Sequence, residues 1–422
     1  MTKIGKLYTV CYREEGVSDE HSWRVSGYNS NNRMRKSGLG KQPVRVAVLT
    51  NAVLAYRRPV FEILLKDEAF QLKVFVSMPL STSDELACKI LPLHYSKGIN
   101  INKKTYHSET NVEQNEYVHI PLRLPFDLFF YRPDIIISGE FGLRSLVAFF
   151  VARLIRVPFV LWSEAIFESS KGISQIQKIL RRFLIPRATS FLAWGSPAVD
   201  YLKTYLISDD AIIYCAQAVD NEYWMKQAKT YSKTEIRTQL GTKGKVFLAV
   251  GRLVALKGFD YLLNAWGALP DEIIQQNTLI IVGAGEEEND LRRIASDIKN
   301  SNIVFTGFKP STELPKYYAA ADVFVFPSLV DVWGLVVNEA MACGLPVLAS
   351  KYTGAAQELI DSPEVGEIFD PLDIGSFTSL LLRWCAIDKQ TSALATQKAV
   401  SRLNFEVTVQ SIKKLIHDKA VN

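Results

Sequence analysis

The stretch DVFVFPSLVDVWGLVVNEAMACGLPVLAS, residues 322–350, holds one complete structural unit and decides the fold class. A short apolar run at 322–328 is followed by a loop, by a helical pattern that begins at Gly334, and by a second apolar run at 345–350. Strands that are buried on both faces of a parallel sheet read as continuous apolar runs of this kind. A strand, a crossover helix and a second strand therefore predict parallel pairing.

The same alternation of strand and helix extends along most of the chain. An early series of apolar runs comprises residues 44–50, 72–78, 133–139, 158–164 and 190–195. A later series, which includes the opening unit, adds residues 245–253, 278–285 and 302–308. This rhythm predicts an α/β protein with two Rossmann-like, doubly wound domains that meet near residues 215–240. Because such sheets bind ligands at the carboxyl ends of their strands, the cleft between the domains is the predicted site.

Domain limits follow from changes in composition. Residues 1–43 are rich in Ser, Asn, Gly and Arg and predict a flexible N-terminal extension. The first domain is expected over 44–219 and the second over 220–398, and a final helical pattern occupies 399–422.

Composition excludes several classes of protein. The net charge of +5 over 422 residues is too mild an imbalance for a nucleic-acid-binding domain. The five cysteines are scattered and form no C-x-x-C pair, so we expect reduced thiols and no zinc site. No apolar run approaches the roughly 18–20 residues of a membrane-spanning helix, and the N-terminus has no signal-peptide core. We therefore expect a cytoplasmic protein that does not cross a membrane.

The glycine pattern VGAGEEEN at 282–289 invites comparison with dinucleotide-binding loops. Gly283 and Gly285 follow a strand and open a helix, but Glu288 stands where the fingerprint has Gly or Ala. The three neighbouring acids would also repel a pyrophosphate. The pattern therefore indicates a tight turn at the end of a strand.

Two cations lie in the short loop of VGRLVALKG, residues 250–258. Arg252 and Lys257 follow the end of a strand and precede a helix. Arginine can bind phosphate oxygens in bidentate fashion and lysine acts as a point charge, so the pair suits two phosphates. Spacing alone leaves a solvated surface pair as the alternative.

The opening stretch adds two carboxylates to these cations. Gly334 and Leu335 begin a helix whose free N–H groups and dipole attract an anion. Glu339 lies at least one turn inside that helix, where it can accept hydrogen bonds from a ribose diol, and Asp331 precedes it on a loop, placed for sugar hydroxyls. In the alternative interpretation, Glu339 faces solvent and Asp331 caps the helix.

Four segments, taken in order, resemble the C-terminal half of family-4 retaining glycosyltransferases, the glycosyl transferases group 1. They are VGRLVALKGFDYLLNAW, LIIVGAGEE, VFTGFKPSTELPKYYAAADVFVFPS and DVWGLVVNEAMACGLPVLAS. Weaker likeness covers TNAVLAYRRPVFEILL and PFVLWSEA in the first half. The resemblance implies the GT-B fold, a last helix within 399–422 that packs back on the first domain, and retaining transfer from a nucleotide sugar without a bound metal.

Carried over by position, the resemblance implies that Arg252 and Lys257 neutralise the leaving diphosphate. Asp331 matches the first Glu of the family's E-x7-E pattern, which contacts the donor sugar, and is one methylene shorter. Glu164 stands where many members have His, so a sugar or acceptor contact is expected, with helix capping as the alternative. The implied donor-binding residues are Gly251, Gly307, Phe308, Gly334, Leu335, Val336 and Glu339, the last of which would bind the ribose. The family's glycine-rich loop after the first strand is absent, since residues 51–56 contain no Gly.

The segment KGISQIQKILRRFLIPR, residues 171–187, bears on the acceptor. It carries five basic residues and no acid, and its helical pattern has an apolar face that includes Ile176, Ile179 and Leu184. Such a helix can lie on an anionic bilayer. A helix that covers the sheet and turns its basic side to solvent is the alternative.

These features together predict a glycosyltransferase that uses a UDP- or GDP-sugar and a hydroxyl acceptor. The likeness of Tyr56-Arg57-x-Pro59 to bacterial members, with the basic helix, favours a role in cell-surface polysaccharide or glycolipid assembly. A nucleotide-sugar hydrolase or epimerase, and an inactive relative that binds nucleotide sugar as a scaffold, are the alternatives.

Overall fold

The computed structural model describes residues 42–53, 55–78, 91–107, 112–387 and 393–421. The predicted extension therefore lies almost entirely outside the described residues. Within the described ranges, none of the helices combines the length and apolar character that crossing a bilayer requires.

A parallel sheet forms the centre of the first domain. The strands described there are β1 Val44–Thr50, β2 Phe70–Val76, β3 Leu93–Tyr95, β4 Ile99–His107, β5 Val112–Ile120, β6 Ile135–Gly139, β7 Phe159–Ser163, β8 Ser190–Trp194 and β9 Ile212–Cys215. The parallel sheet has the order β3-β2-β1-β6-β7-β8-β9, and β4 pairs with β5 in a separate antiparallel ribbon. In the register of the sheet, Val46 lies between Leu72 and Ile135.

Helices cover both faces of this sheet. They are α1 Arg58–Leu65, α2 Leu124–Tyr131, α3 Leu143–Ile155, α4 Phe167–Ser170, α5 Gln175–Leu184 and α6 Ser196–Lys203. Buried side chains of α2, α3, α5 and α6 form one core with the sheet, and those of α1 form another on the opposite face. Leu184 of α5 is fully buried, whereas Ile176 and Ile179, which the sequence assigns to the same apolar face, are exposed. The helix thus covers the sheet with only part of its predicted apolar face.

The second domain repeats this topology. Its described strands are β10 Val246–Val250, β11 Thr278–Val282, β12 Ile303–Phe305, β13 Val323–Phe326, β14 Val347–Ser350 and β15 Gly366–Phe369. All are parallel, in the order β12-β11-β10-β13-β14-β15. In the first sheet β1 lies between β2 and β6, and in the second sheet β10 lies between β11 and β13. The chain thus extends each sheet first in one direction and then in the other, which is the doubly wound arrangement.

Helices enclose the second sheet on both faces and the chain ends in a helix. The described helices are α7 Asn221–Ala228, α8 Lys233–Leu240, α9 Phe259–Gly267, α10 Asp271–Gln276, α11 Glu288–Asp297, α12 Leu314–Ala320, α13 Leu335–Ala342, α14 Gly354–Leu359, α15 Ile374–Ala386, α16 Ala393–Ser401 and α17 Phe405–Ile416. The last helix, α17, returns to the first domain, where Val409, Ile412 and Leu415 join the core of β1 and α1. Its Thr408 hydroxyl donates to the carbonyl of Ala216 at 2.8 Å.

Direct contacts join the two domains along one side of the cleft. The Glu358 carboxylate of α14 accepts a hydrogen bond from the Ser196 amide at 2.6 Å and another from the Tyr214 hydroxyl. The ring of Trp333 lies against Gly195, where an added Cβ would come within 2.5 Å of it. A glycine is therefore required at 195 for this approach, and its φ of +92° also favours glycine.

Candidate active site

The candidate site lies at the switch point of the second sheet, between β10 and β13. Chains that leave these neighbouring strands turn to opposite faces of the sheet, and the crevice between them is the usual ligand site of such folds. Arg252 and Lys257 follow β10, and Asp331 and Gly334 follow β13. The topology thus brings both sequence motifs to one edge of one sheet.

Lys257 and Asp331 form an ion pair across this crevice. Their Nζ and Oδ2 atoms are 2.5 Å apart, although the residues are 74 positions apart in sequence. Each side chain remains 19% exposed, so the pair is accessible from the cleft. The next residue, Gly258, has φ +64°, and a Cβ there would lie 2.3 Å from the carbonyl of Pro327. Glycine therefore permits the close approach of the two loops that brings the ion pair together.

The loop that carries Asp331 is held by its own backbone and side chain. The Asp331 Oδ1 atom accepts a hydrogen bond from the Trp333 amide at 3.2 Å, and its amide donates to the carbonyl of Tyr352 at 3.3 Å. The N-cap of α13 is Gly334, without a side-chain capping bond. The alternative in which Asp331 caps the helix is therefore wrong, and its carboxylate faces Lys257 instead.

The first turn of α13 presents its amides at the same edge. Gly334 has φ +101°, and a Cβ at this position would lie 2.4 Å from the ring of Phe326. The amides of Leu335 and Val336 belong to the first turn, where a helix supplies no internal acceptor. With the helix dipole they form an anion-attracting end that points into the crevice.

Arg252 and Gly251 differ in how much of each is free to bind. The side chain of Arg252 is exposed and forms no ion pair with any residue of the described ranges. The amide of Gly251 is already used, since it donates to the carbonyl of Val282 at 3.0 Å. Gly251 can therefore let a ligand approach the backbone closely, but its N–H group is not available to bind that ligand.

Glu339 is buried inside α13, with 3% of its surface exposed. Its Oε2 atom accepts a hydrogen bond from the Tyr318 hydroxyl at 2.8 Å. Burial raises the pKa of the Glu339 carboxyl to about 8. The alternative in which Glu339 faces solvent is therefore wrong. In the structure, the Tyr318 hydroxyl is a hydrogen-bond donor to this carboxyl.

The loop after β12 lies two strands away from β10 along the same edge. Gly307 accepts a hydrogen bond from the Gly283 amide at 3.0 Å, and the Phe308 ring is 37% exposed. Gly285 packs so closely on Leu253 that a Cβ would lie 2.2 Å from its carbonyl oxygen. This is the strand-end turn predicted from VGAGEEEN.

On the first domain, Glu164 is tied to Arg57 rather than free in the cleft. Its Oε1 atom accepts hydrogen bonds from the Arg57 guanidinium and, at 2.9 Å, from the indole of Trp162. The guanidinium lies 5.1 Å from the ring centre of Trp162, which stacks on Trp194 at 4.5 Å. The N-cap of α4 is Ile166, so Glu164 does not cap that helix. Its contacts make it an anchor for Arg57.

Tyr56 stands between the charged groups of the two domains. Burial raises the pKa of its hydroxyl above the usual range, and the carboxylates of Glu164 and Asp331 raise that pKa further. Asp331 belongs to the second domain, so the Tyr56 hydroxyl is close enough to both domains for charges of each to affect its pKa. Among the described residues, no cluster of three or more His, Cys, Asp or Glu side chains is suited to hold a metal ion.

Comparison with known proteins identifies the part of the chain that carries the switch-point residues. Residues 232–399 match the family model of the Glycosyl transferases group 1. This matched segment is called the group 1 domain below. This domain contains Arg252, Lys257, Asp331 and Glu339, whereas Glu164 lies outside it.

Curated relatives match this domain and part of the first. A GDP-mannose-dependent alpha-mannosyltransferase of Corynebacterium glutamicum is 28% identical over 280 residues, which cover 63% of this chain and 62% of that protein. A GDP-mannose-dependent alpha-(1-6)-phosphatidylinositol monomannoside mannosyltransferase of Mycolicibacterium smegmatis is 31% identical over 192 residues, 44% of this chain and 50% of that protein. The chain thus spans between half and two thirds of the length of these relatives.

A solved structure extends the similarity to both domains. Anabaena HepE in complex with UDP superposes with a TM-score of 0.70 at 18% identity, and the match covers 89% of this chain and 100% of that one. At this identity the likeness concerns the fold alone. The fold of the chain is GT-B, with the group 1 domain as its second half.

Tyr56 and Arg57 are site residues that the sequence did not assign. The signal was present as the Tyr-Arg-x-Pro sequence directly after β1, where the glycine-rich loop of the family is missing. Pro59 lies in the first turn of α1 and fixes the start of that helix immediately after Arg57. A tyrosine and an arginine thus stand where the family has its glycine loop.

Proposed function

We propose that the protein is a retaining glycosyltransferase that moves a hexose from a nucleotide-diphosphate sugar to a hydroxyl acceptor. The observation that carries this proposal is the Lys257–Asp331 pair at the switch point, beside the amides of α13. The GDP-mannose dependence of two relatives and the UDP in a structure of the same fold support a GDP- or UDP-sugar as donor.

Charge explains why these residues suit the reaction. Breaking the bond between sugar and diphosphate builds negative charge on the leaving oxygen. Fixed cations at 252 and 257 and the helix N–H groups stabilise that charge more in the transition state than in the ground state. In the structure Asp331 pairs with Lys257. Phosphates that take over Lys257 would release the Asp331 carboxylate for the hydroxyls of the donor sugar.

Retention is proposed through front-side substitution. The anomeric carbon loses its bond to the diphosphate oxygen and gains a bond to the acceptor oxygen on the same face. The proton of the acceptor hydroxyl passes to the leaving phosphate oxygen, so atoms and charges balance without a protein nucleophile or a metal ion. Arg57, held by Glu164, and Tyr56 would line the side from which the acceptor enters.

The acceptor class is proposed from the relatives and from the first domain. One relative is named for a phosphatidylinositol monomannoside and another for an O-antigen chain, and these names support a glycolipid or polysaccharide acceptor. We place the protein in cell-surface polysaccharide or glycolipid assembly on the cytoplasmic side of the membrane.

A panel of UDP- and GDP-sugars tests the proposal. The protein is first screened for thermal stabilisation, and the most stabilising donor is then incubated with and without hydroxyl acceptors. Transfer to an acceptor, with the anomeric configuration of the donor kept in the NMR coupling of the product, is the expected result. Release of free sugar alone would identify a hydrolase, and formation of an epimer would identify an epimerase. Binding without turnover would identify a scaffold. Each of these results would overturn the proposal.

A further inference from the structure

Exposed apolar side chains are concentrated on one surface of the first domain. Twelve of the seventeen large apolar residues that are exposed among the described ranges lie in that domain. Those on the outer side of α2, α3 and α5 are named here the apolar patch. The apolar patch consists of Phe126, Phe130, Phe150, Leu154, Ile176 and Ile179.

The patch is continuous because the three helices lie side by side. Helix α3 packs between α2 and α5 over the same face of the sheet. Phe150 lies 6.1 Å from Phe183 of α5, measured between ring centres. Each helix contributes its patch residues at a spacing of three or four, which places them on one side of the helix. Phe130 is 80% exposed and Leu154 is 74% exposed, so the core does not use them.

Basic side chains border this patch without acidic partners. They are Arg132, Arg153, Arg156, Lys178, Arg182 and Arg187, and none forms an ion pair with an acid among the described residues. Asp127 is the acid that the three helices carry, and it is only 7% exposed and bound by Arg123 and His94. The surface is therefore positive as well as apolar.

Two of these arginines have a left-handed backbone conformation, which is energetically unfavourable for a residue with a side chain. Arg132 and Arg156 directly follow α2 and α3 with φ of +51° and +59°. Glycine is the usual residue at such a left-handed helix end, because a side chain there strains the backbone. Both helices run in the same direction with respect to the sheet, so these two arginines lie along one border of the patch.

We propose that the apolar patch docks the protein on an anionic lipid bilayer. Aromatic and aliphatic side chains would enter the boundary between headgroups and acyl chains, and the arginines would contact lipid phosphates. Charge complementarity favours this occupant, because a row of unpaired cations around an apolar centre matches anionic headgroups above acyl chains. The docked surface belongs to the domain that carries Arg57, which would hold the acceptor side of the cleft near the membrane.

Vesicle binding of the full chain tests the inference directly. Protein is mixed with vesicles of phosphatidylcholine, with or without an equal part of phosphatidylglycerol, and bound protein is separated by flotation. Binding is expected only to the anionic vesicles and should weaken with added salt. The double variant Arg153→Gln/Arg156→Gln should bind about 25-fold more weakly, and Phe150→Ser about tenfold more weakly.

A matched control comes from the second domain. Leu394 is as exposed as Leu154, at 74%, so Leu394→Ser should leave vesicle binding unchanged while Leu154→Ser weakens it. Equal binding by both variants, or no binding by the wild type, would overturn the inference. So would a dimer in vesicle-free solution that Leu154→Ser converts to a monomer, because the patch would then belong to a second copy. Binding is measured without nucleotide sugar, so either result leaves the proposed transfer reaction to its own test.

Discussion

At the switch point of the first sheet, between β1 and β6, the crevice is filled by the side chain of Arg144. It donates to Asn51 Oδ1 at 2.5 Å, to Ser77 Oγ at 2.9 Å and to the carbonyl of Gly139 at 2.9 Å. At the equivalent point of the second sheet, between β10 and β13, the side chains of Arg252 and Lys257 reach the cleft. The same strand order thus produces one crevice closed by the protein and one that presents its cations.

The difference shows that topology provides a crevice and that the residues after the strands decide its use. Arg144 is the second residue of α3, and its inward-turned side chain ties together three strand ends. The helix after β13 also has a glycine N-cap, Gly334, but its second residue is Val336 rather than an arginine, so no cation is turned inward and the amides of the first turn remain at the surface of the crevice. A cation is present at both points, but only the second domain leaves it for a ligand.

The largest expected effect is on the stability of the first domain. Arg144→Met would remove hydrogen bonds to the half-buried Asn51, to the buried Ser77 hydroxyl and to the buried Gly139 carbonyl. We expect a loss of about 3 kcal/mol in the free energy of unfolding. Urea denaturation measures the change. Arg153→Met, on the exposed side of the same helix, is the control and should cost less than about 0.5 kcal/mol. Equal losses in both variants would mean that Arg144 is not a structural tie.

The opposite behaviour is expected in the second domain. Lys257→Ala should lower turnover about a hundredfold, because it removes a fixed charge from the leaving diphosphate. Its folding should change little, since a partly exposed ion pair contributes about 1 kcal/mol or less. Arg252→Ala should behave in the same way. The measurement is the rate of sugar transfer at saturating donor, beside the urea midpoint.

A second lysine of the same domain provides the control for this experiment. Lys233 pairs with Asp322 at 2.8 Å, at the amino-terminal edge of the sheet and away from the site. Lys233→Ala removes the same charge, but the transfer rate should stay within about twofold of the wild type. Should Lys257→Ala also leave the rate near normal, the switch point of the second domain would lose its assigned role.

The central strands of both sheets could be predicted from sequence because burial on two faces makes them wholly apolar. The run predicted at 158–164 is observed as Phe159–Ser163, and the run at 278–285 as Thr278–Val282. The strands without a clear signal lie at sheet edges: β3, β9 and β15 are three or four residues long and partly exposed. An edge strand buries fewer side chains, so its apolar pattern is weaker.

In the site, local sequence motifs identify several of the residues, and the order of the strands decides which of them come into contact. Lys257 and Asp331 were each recognisable from a local motif, but their ion pair depends on the adjacency of β10 and β13. The tie between Arg57 and Glu164 depends in turn on β1, β6 and β7 being neighbours. Side-chain partners at this distance in sequence carry no periodic signal, so the sequence could name Lys257, Asp331 and Glu164 but neither their partners nor the place of Arg57 in the site.

A pH-dependent effect is expected at Glu339, whose buried carboxyl accepts a hydrogen bond from Tyr318. Its folded-state pKa of about 8 lies above the ordinary value of 4.5. As pH rises from about 5 to about 8, the unfolded chain therefore loses this proton first, and the free energy of unfolding falls by up to about 1.4 kcal/mol per pH unit. Glu339→Gln cannot lose a proton there. Between about pH 5 and about pH 8, the free energy of unfolding of Glu339→Gln should rise by at least about 2 kcal/mol relative to that of the wild type. Urea denaturation of both proteins at the two pH values measures the gain, and parallel pH dependence of the two would show that the Glu339 carboxyl is already ionised in the folded protein.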